Sequence, residues 1–135
     1  MDEFLKSNTS FIRMLGEYKK HKNLVIGFDF DGTVHDYHNK GETYFQVIKL
    51  LQDLDEMNCI IYCWTAYEDH EYVKDYCRLN KIPCYGVNVD DIPLQWQTRK
   101  PFYNYILDDR SGLTQQFNEL SLLVYLVKNN LLNLN

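Results

Sequence analysis

At 135 residues, 45% of them apolar and 24% charged, the chain suits one compact domain over residues 1–135 and does not have the composition of a disordered polypeptide. A formal net charge of -5 argues against non-specific nucleic-acid binding, which depends on Lys and Arg displacing counterions from phosphates. The start, Met1-Asp2-Glu3, carries acid where a secretory signal carries base. The most apolar stretch, residues 120–127, is far shorter than the roughly 20 residues that cross a bilayer. A soluble cytoplasmic protein with no membrane partner is expected.

In chain order, a helix is expected over residues 9–20, followed by a short apolar strand over 24–28. A second helix reads from 42 to 57, where Phe45, Ile48, Leu51 or Gln52, and Asp55 step round successive turns with apolar residues on one side. The run 59–63 reads as a strand, and 66–79 as a helix with Tyr72, Val73 and Tyr76 as its apolar stripe. A weaker strand follows at 82–85, a better one at 105–107, and a last helix at 113–128, whose apolar face around 120–127 is wide enough to leave a surplus for a second copy, so monomer and homodimer both stay open. Apolar strands alternating with helices indicate an α/β fold with a mainly parallel sheet covered on both faces. In such sheets the chemistry lies beyond the carboxyl ends of the strands.

Four cysteines are present, with Cys59 and Cys63 in one apolar run and Cys77 and Cys84 elsewhere. On a strand, positions four apart are about 13 Å from each other at roughly 3.3 Å per residue, too far for one metal ion. Reduced, packed thiols are expected.

The strand ends carry a sequence of polar groups. Asp29-Phe30-Asp31-Gly32-Thr33 leaves the first strand, with two carboxylates two residues apart and a glycine that permits a sharp exit. Trp64-Thr65-Ala66 leaves the second, Lys100-Pro101 precedes the third well-formed strand, and Asp108-Asp109 follow it. Each has a plainer reading when taken alone. Asp31-Gly32 is an ordinary turn, Thr65 with Glu68 is a capping box opening the next helix, Lys100 is a surface lysine, and the paired aspartates are a turn. Taken together, the strand ends deliver a nucleophile and an acid, then a hydroxyl, then a cation, then hard oxygen ligands of the kind magnesium prefers.

This ordered set resembles the four motifs of the haloacid dehalogenase superfamily, matched by Asp29-x-Asp31-Gly32-Thr33, Thr65, Lys100 and Asp108-Asp109 over residues 24 to about 112. The resemblance implies a three-layer, doubly wound (Rossmann-like) fold and phosphate-monoester hydrolysis with Mg²⁺. Asp29 is then the nucleophile that becomes an aspartyl-phosphate, and Asp31 the acid and base. Thr65 and Lys100 bind the phosphoryl oxygens, with Gly32, Thr33 and Ala66 beside them. The ion is held by Asp29, Asp108, Asp109 and the backbone carbonyl of Asp31. The second aspartate, Asp31, marks the phosphoryl-transfer branch rather than the dehalogenases.

Between Thr33 and Asn58, and again between Thr65 and Lys100, there is no room for the cap domain that family members often insert. A small phosphorylated metabolite or nucleotide is the expected substrate. The alternatives are phosphorylated nucleic-acid ends, a phosphoprotein, or a phosphate- and magnesium-binding module with little turnover. A flap over 35–41 holds His35 and His38, three residues apart. Nothing nearby supplies the other ligands of a zinc site, and contact with the leaving group is the better expectation. Tyr37, Trp64, Tyr67 and Trp96 lie near these segments, where base stacking is conceivable. The polar loop 88–98, with Asp90 and Asp91, is a further candidate for substrate selection.

Overall fold

The computed structural model describes residues 1–89, 92 and 102–133. A 3₁₀ turn (Glu3–Leu5) leads into α1 (Thr9–His21), then β1 (Val25–Phe28), α2 (Phe45–Glu56), β2 (Ile60–Cys63), α3 (His70–Leu79), β3 (Tyr105–Leu107) and α4 (Leu113–Lys128). The strands form an open parallel sheet in the order β2-β1-β3, so the expected α/β class holds.

β1 is central and buried along its whole length, as an apolar run in a parallel sheet requires. Ile26 and Phe28 of β1, Ile61 and Cys63 of β2, and Tyr105 and Leu107 of β3 join one buried cluster. All four helices contribute to that cluster, through Met14 and Tyr18, Leu50, Leu51 and Leu54, Val73 and Cys77, and Leu120, Leu123 and Val124. The alternate positions Val25 and Tyr62 form a smaller cluster with Ile92, flanked by Ile60, Phe102 and Tyr103. The Tyr62 hydroxyl donates to the Phe102 carbonyl at 3.0 Å.

Several expected elements shift, each for a local reason. α2 begins at Phe45 rather than 42, because the Asp36 carboxylate accepts the backbone N–H groups of Lys40, Gly41 and Glu42 at 3.1, 2.8 and 3.2 Å and holds them in a loop. Its inward stripe is Val47, Leu50, Leu51 and Leu54, the true i, i+3, i+4, i+7 set, while Phe45 is 66% exposed. α3 begins at His70, four residues later than expected, and its cap is Asp69, whose carboxylate accepts the Tyr72 N–H at 3.0 Å. The capping box of Thr65 and Glu68 is therefore not formed. α3 buries Val73 and Cys77, whereas Tyr72 of the expected stripe is exposed.

The weak strand at 82–85 does not form. Pro83 lacks an N–H in the middle of it, and the chain pairs with β2 slightly later. Tyr85 N–H donates to Ile61 O at 2.6 Å, Cys63 N–H to Gly86 O at 2.9 Å and Asn88 N–H to Cys63 O at 2.9 Å, with one parallel bridge between Cys63 and Val87.

All four cysteines are free thiols. Cys77 and Cys84, separate in sequence, meet through a thiol hydrogen bond. Cys77 as donor holds Cys84 down at about 7, and its own pKa is raised by the same bond and by burial. On α4, Leu122 and Tyr125 stay exposed beside the buried stripe. No helix among the described residues is long and apolar enough to cross a membrane.

Candidate active site

Register places the site. Phe28, the last residue of β1, lies level with Cys63 of β2 and Leu107 of β3. The next residues, Asp29, Trp64 and Asp108, therefore leave the sheet at one rim. Two hydrogen bonds extend the ladder past the strand ends, Asp29 N–H to Leu107 O at 2.8 Å and Trp64 N–H to Phe28 O at 2.9 Å.

At that rim, Asp29, Asp108 and Asp109 bring carboxylate oxygens within 4.8 Å of one another, the one such group of three among the described residues. Asp29 is half-buried, and its pKa is raised to about 7. Burial is the main cause. The negative charge of Asp108, the hydrogen bond that protonated Asp29 gives Asp109, and the charge of Asp109 add to it, against a smaller opposing hydrogen bond from the Phe30 N–H. Three carboxylate oxygens this close together are a donor set that a hard divalent cation such as Mg²⁺ would fit.

The turn after β1 is wound around one carbonyl. Phe30 O accepts the N–H groups of Thr33, Val34 and His35 at 3.3, 3.0 and 3.1 Å. Gly32 sits at φ +78°, and a Cβ there would lie 2.7 Å from Asp109 Oδ2. Glycine is thus needed both for the backbone conformation and for the approach of Asp109. Thr33 is fully buried, and its hydroxyl oxygen accepts the Asp109 N–H at 3.2 Å, tying the first loop to the third.

Asp31 is not one of the three-carboxylate group. Its Oδ1 is 2.8 Å from His35 Nδ1, and His35 Nε2 is 3.2 Å from the Tyr72 hydroxyl. Which group donates in each contact depends on the protonation of the His35 ring. Both ring nitrogens of His35 are engaged, one by Asp31 and one by Tyr72. The His35 ring stacks on Phe30 at 4.5 Å and meets Tyr67, Tyr72 and Tyr76 edge-on. Tyr37 and Trp64 are exposed, at 56% and 39%.

Thr65 is 8% exposed. Its hydroxyl oxygen accepts the Tyr67 N–H at 3.0 Å, and among the described residues its own proton is not engaged. Its backbone is held by Asn88, whose Oδ1 accepts Thr65 N–H at 2.8 Å and whose Nδ2 donates to Thr65 O at 2.7 Å. Ala66 beside it is exposed. Lys100, Trp96, Asp90 and Asp91 lie outside the described residues.

Sequence reasoning missed the contact of Tyr72 with His35, the contact of Asn88 with Thr65, and the loop-ordering role of Asp36. Asn88 had a detectable signal: an asparagine closing the segment that runs beside β2, at φ 52°, where asparagine tolerates the left-handed conformation better than most residues.

No protein-family model and no curated protein matches the chain. Among solved structures, a conserved protein of Bacteroides thetaiotaomicron is similar, at 24% identity and a TM-score of 0.57, over 80% of this chain and 92% of that one. That likeness concerns the fold alone, an α/β chain with a parallel sheet.

Proposed function

We propose that this chain is a capless member of the haloacid dehalogenase superfamily with the doubly wound, three-layer fold, acting as a Mg²⁺-dependent phosphatase of small phosphate monoesters. The observation that carries the reading is the meeting of Asp29 with Asp108 and Asp109 at the strand rim, with Thr65 leaving the neighbouring strand end.

Mg²⁺ would be held by the carboxylates of Asp29, Asp108 and Asp109 and by the Asp31 carbonyl, and supplies positive charge that lets an anionic nucleophile approach a phosphate dianion. Asp29, ionised at its carboxylate oxygen, attacks phosphorus and the ester P–O bond breaks. Asp31 gives its proton to the departing alkoxide oxygen. A water then attacks the phosphorus of the aspartyl-phosphate while Asp31 takes its proton, which frees Asp29 and inorganic phosphate. What supports this role is the contact with His35, which holds the Asp31 carboxyl group beside the site. The Thr65 hydroxyl and Lys100 bind the phosphoryl oxygens.

The test is a panel of phosphorylated metabolites, nucleotides and 5′-phosphorylated oligonucleotides assayed with Mg²⁺, wild type against Asp29→Asn. Magnesium-dependent release of phosphate by the wild type and its loss in the variant are expected. Turnover that persists in Asp29→Asn overturns the nucleophile assignment.

A further inference from the structure

We propose that Asn88 is the positioning residue for Thr65, and that its side-chain amide fixes the hydroxyl that meets the phosphoryl group. The inference rests on the reading of Thr65 as a phosphate-binding residue. Thr65 follows the end of β2 and precedes α3, so neither a ladder nor a helix orients its backbone. The Asn88 amide does so instead, as acceptor for Thr65 N–H and donor to Thr65 O. A side chain that grips both polar groups of one residue determines where that residue's Cα–Cβ bond points.

Asn88 is itself anchored. Its N–H donates to Cys63 O at 2.9 Å, and Val87 before it bridges Cys63. β2 therefore holds Asn88 through the backbone, and Asn88 returns to hold the chain two residues beyond β2. The Tyr67 N–H occupies one lone pair of the Thr65 oxygen, and among the described residues no partner takes the hydroxyl proton, which can be given to an anion. The clamp and the Tyr67 contact together pre-orient a donor, and misplacing such a group by even 1 Å is costly to a reaction.

Two variants separate the clamp from the backbone. Asn88→Gly keeps the left-handed conformation at φ 52° without strain and removes both side-chain hydrogen bonds. Asn88→Asp keeps an acceptor for Thr65 N–H but sets an oxygen against Thr65 O. Hydrolysis of p-nitrophenyl phosphate with Mg²⁺ and binding of inorganic phosphate with Mg²⁺ are measured for the wild type, Asn88→Gly, Asn88→Asp, Thr65→Ala and the Asn88→Gly/Thr65→Ala double variant.

The expected result is a roughly 10- to 100-fold fall in kcat/KM for Asn88→Gly, shrinking to less than about twofold when Thr65 is already alanine, because a residue acting through another has nothing left to orient. A merely structural role would lower both backgrounds by the same factor, and that outcome overturns the proposal. So does an Asn88→Gly variant with wild-type kinetics. If Asn88→Gly does not fold, Asn88→Asp is judged by the same comparison in the two backgrounds. If the wild type hydrolyses nothing, the phosphatase reading fails by itself, and phosphate affinity decides for Asn88: a loss matching that of Thr65→Ala supports the clamp, while unchanged affinity, or no phosphate binding by the wild type, overturns it.

Discussion

His35 holds the Asp31 carboxylate at 2.8 Å through Nδ1 while its ring lies nearly parallel to Phe30, at 11° and 4.5 Å between centroids. The stacking holds the ring, and the nitrogen in turn orients the carboxylate of Asp31.

Replacing His35 with phenylalanine keeps an aromatic ring over Phe30 and removes the hydrogen bond. If Asp31 is the proton donor, kcat falls by about 10- to 100-fold on an alkyl phosphate, whose leaving oxygen needs the proton. On p-nitrophenyl phosphate, whose leaving group departs readily, the fall is smaller. Parallel kinetics on the two substrates check this, and equal losses on both would count against the role.

Asp29 links pH to stability in the metal-free protein. Its pKa, about 7 in the folded state, lies above the roughly 3.9 of an unfolded aspartate, so the folded state holds the proton more tightly. Stability from this group is fully present below the unfolded pKa and is lost as pH rises towards 7. Asp29→Asn is expected to raise Tm by a few degrees at pH 8 and to have little effect at pH 4. Mg²⁺ should reverse the linkage by favouring the carboxylate, so its binding near pH 6 releases a proton. Thermal melts with and without Mg²⁺, and calorimetry in buffers of different ionisation enthalpy, measure both.

Gly32→Ala introduces a Cβ 2.7 Å from Asp109 Oδ2 at a backbone φ of +78°. The left-handed conformation alone costs an alanine about 1 kcal/mol, and Asp109 must also move away from Asp29. The expected outcome is a lower Tm together with weakened Mg²⁺ dependence, read from a magnesium titration of activity. A Tm change with unaltered magnesium response would detach Asp109 from the ion.

Asp69→Ala removes the cap of α3 and should cost about 1 kcal/mol of stability while leaving kcat/KM near the wild-type value. Thr65→Ala should do the reverse, lowering activity with little loss from helix capping. Denaturant melts and kinetics on the two variants test this separation of roles, which a single capping-box threonine would not show.

The strand ends were legible in the sequence because each strand is a short apolar run with a charged or hydroxyl residue one or two positions beyond it, and a parallel sheet aligns such ends at one edge. Asp29, Thr65 and Asp108 were marked by that pattern taken jointly. The helix starts were less legible. Thr65 with Glu68 and Asp69 with Tyr72 both satisfy local capping patterns, and the choice fell to Asp69 because Thr65 is already committed to Asn88 and Tyr67. The stripe of α2 was read only in part: Ile48 and Leu51 do face the core, but the packed set is centred on Val47, Leu50, Leu51 and Leu54 and leaves Phe45 exposed.

The sequence by itself determined the α/β class, the order of the elements and the acidic groups at the ends of β1 and β3, since these follow from hydrophobic runs and their immediate neighbours. Only the tertiary structure decided that Asp29 meets Asp108 and Asp109, that His35 joins Asp31 to Tyr72, and that Asn88 reaches back to Thr65. The long-range pairings among these join residues up to 80 positions apart, and a contact between distant residues depends on where packing sets two backbones, which no local pattern records.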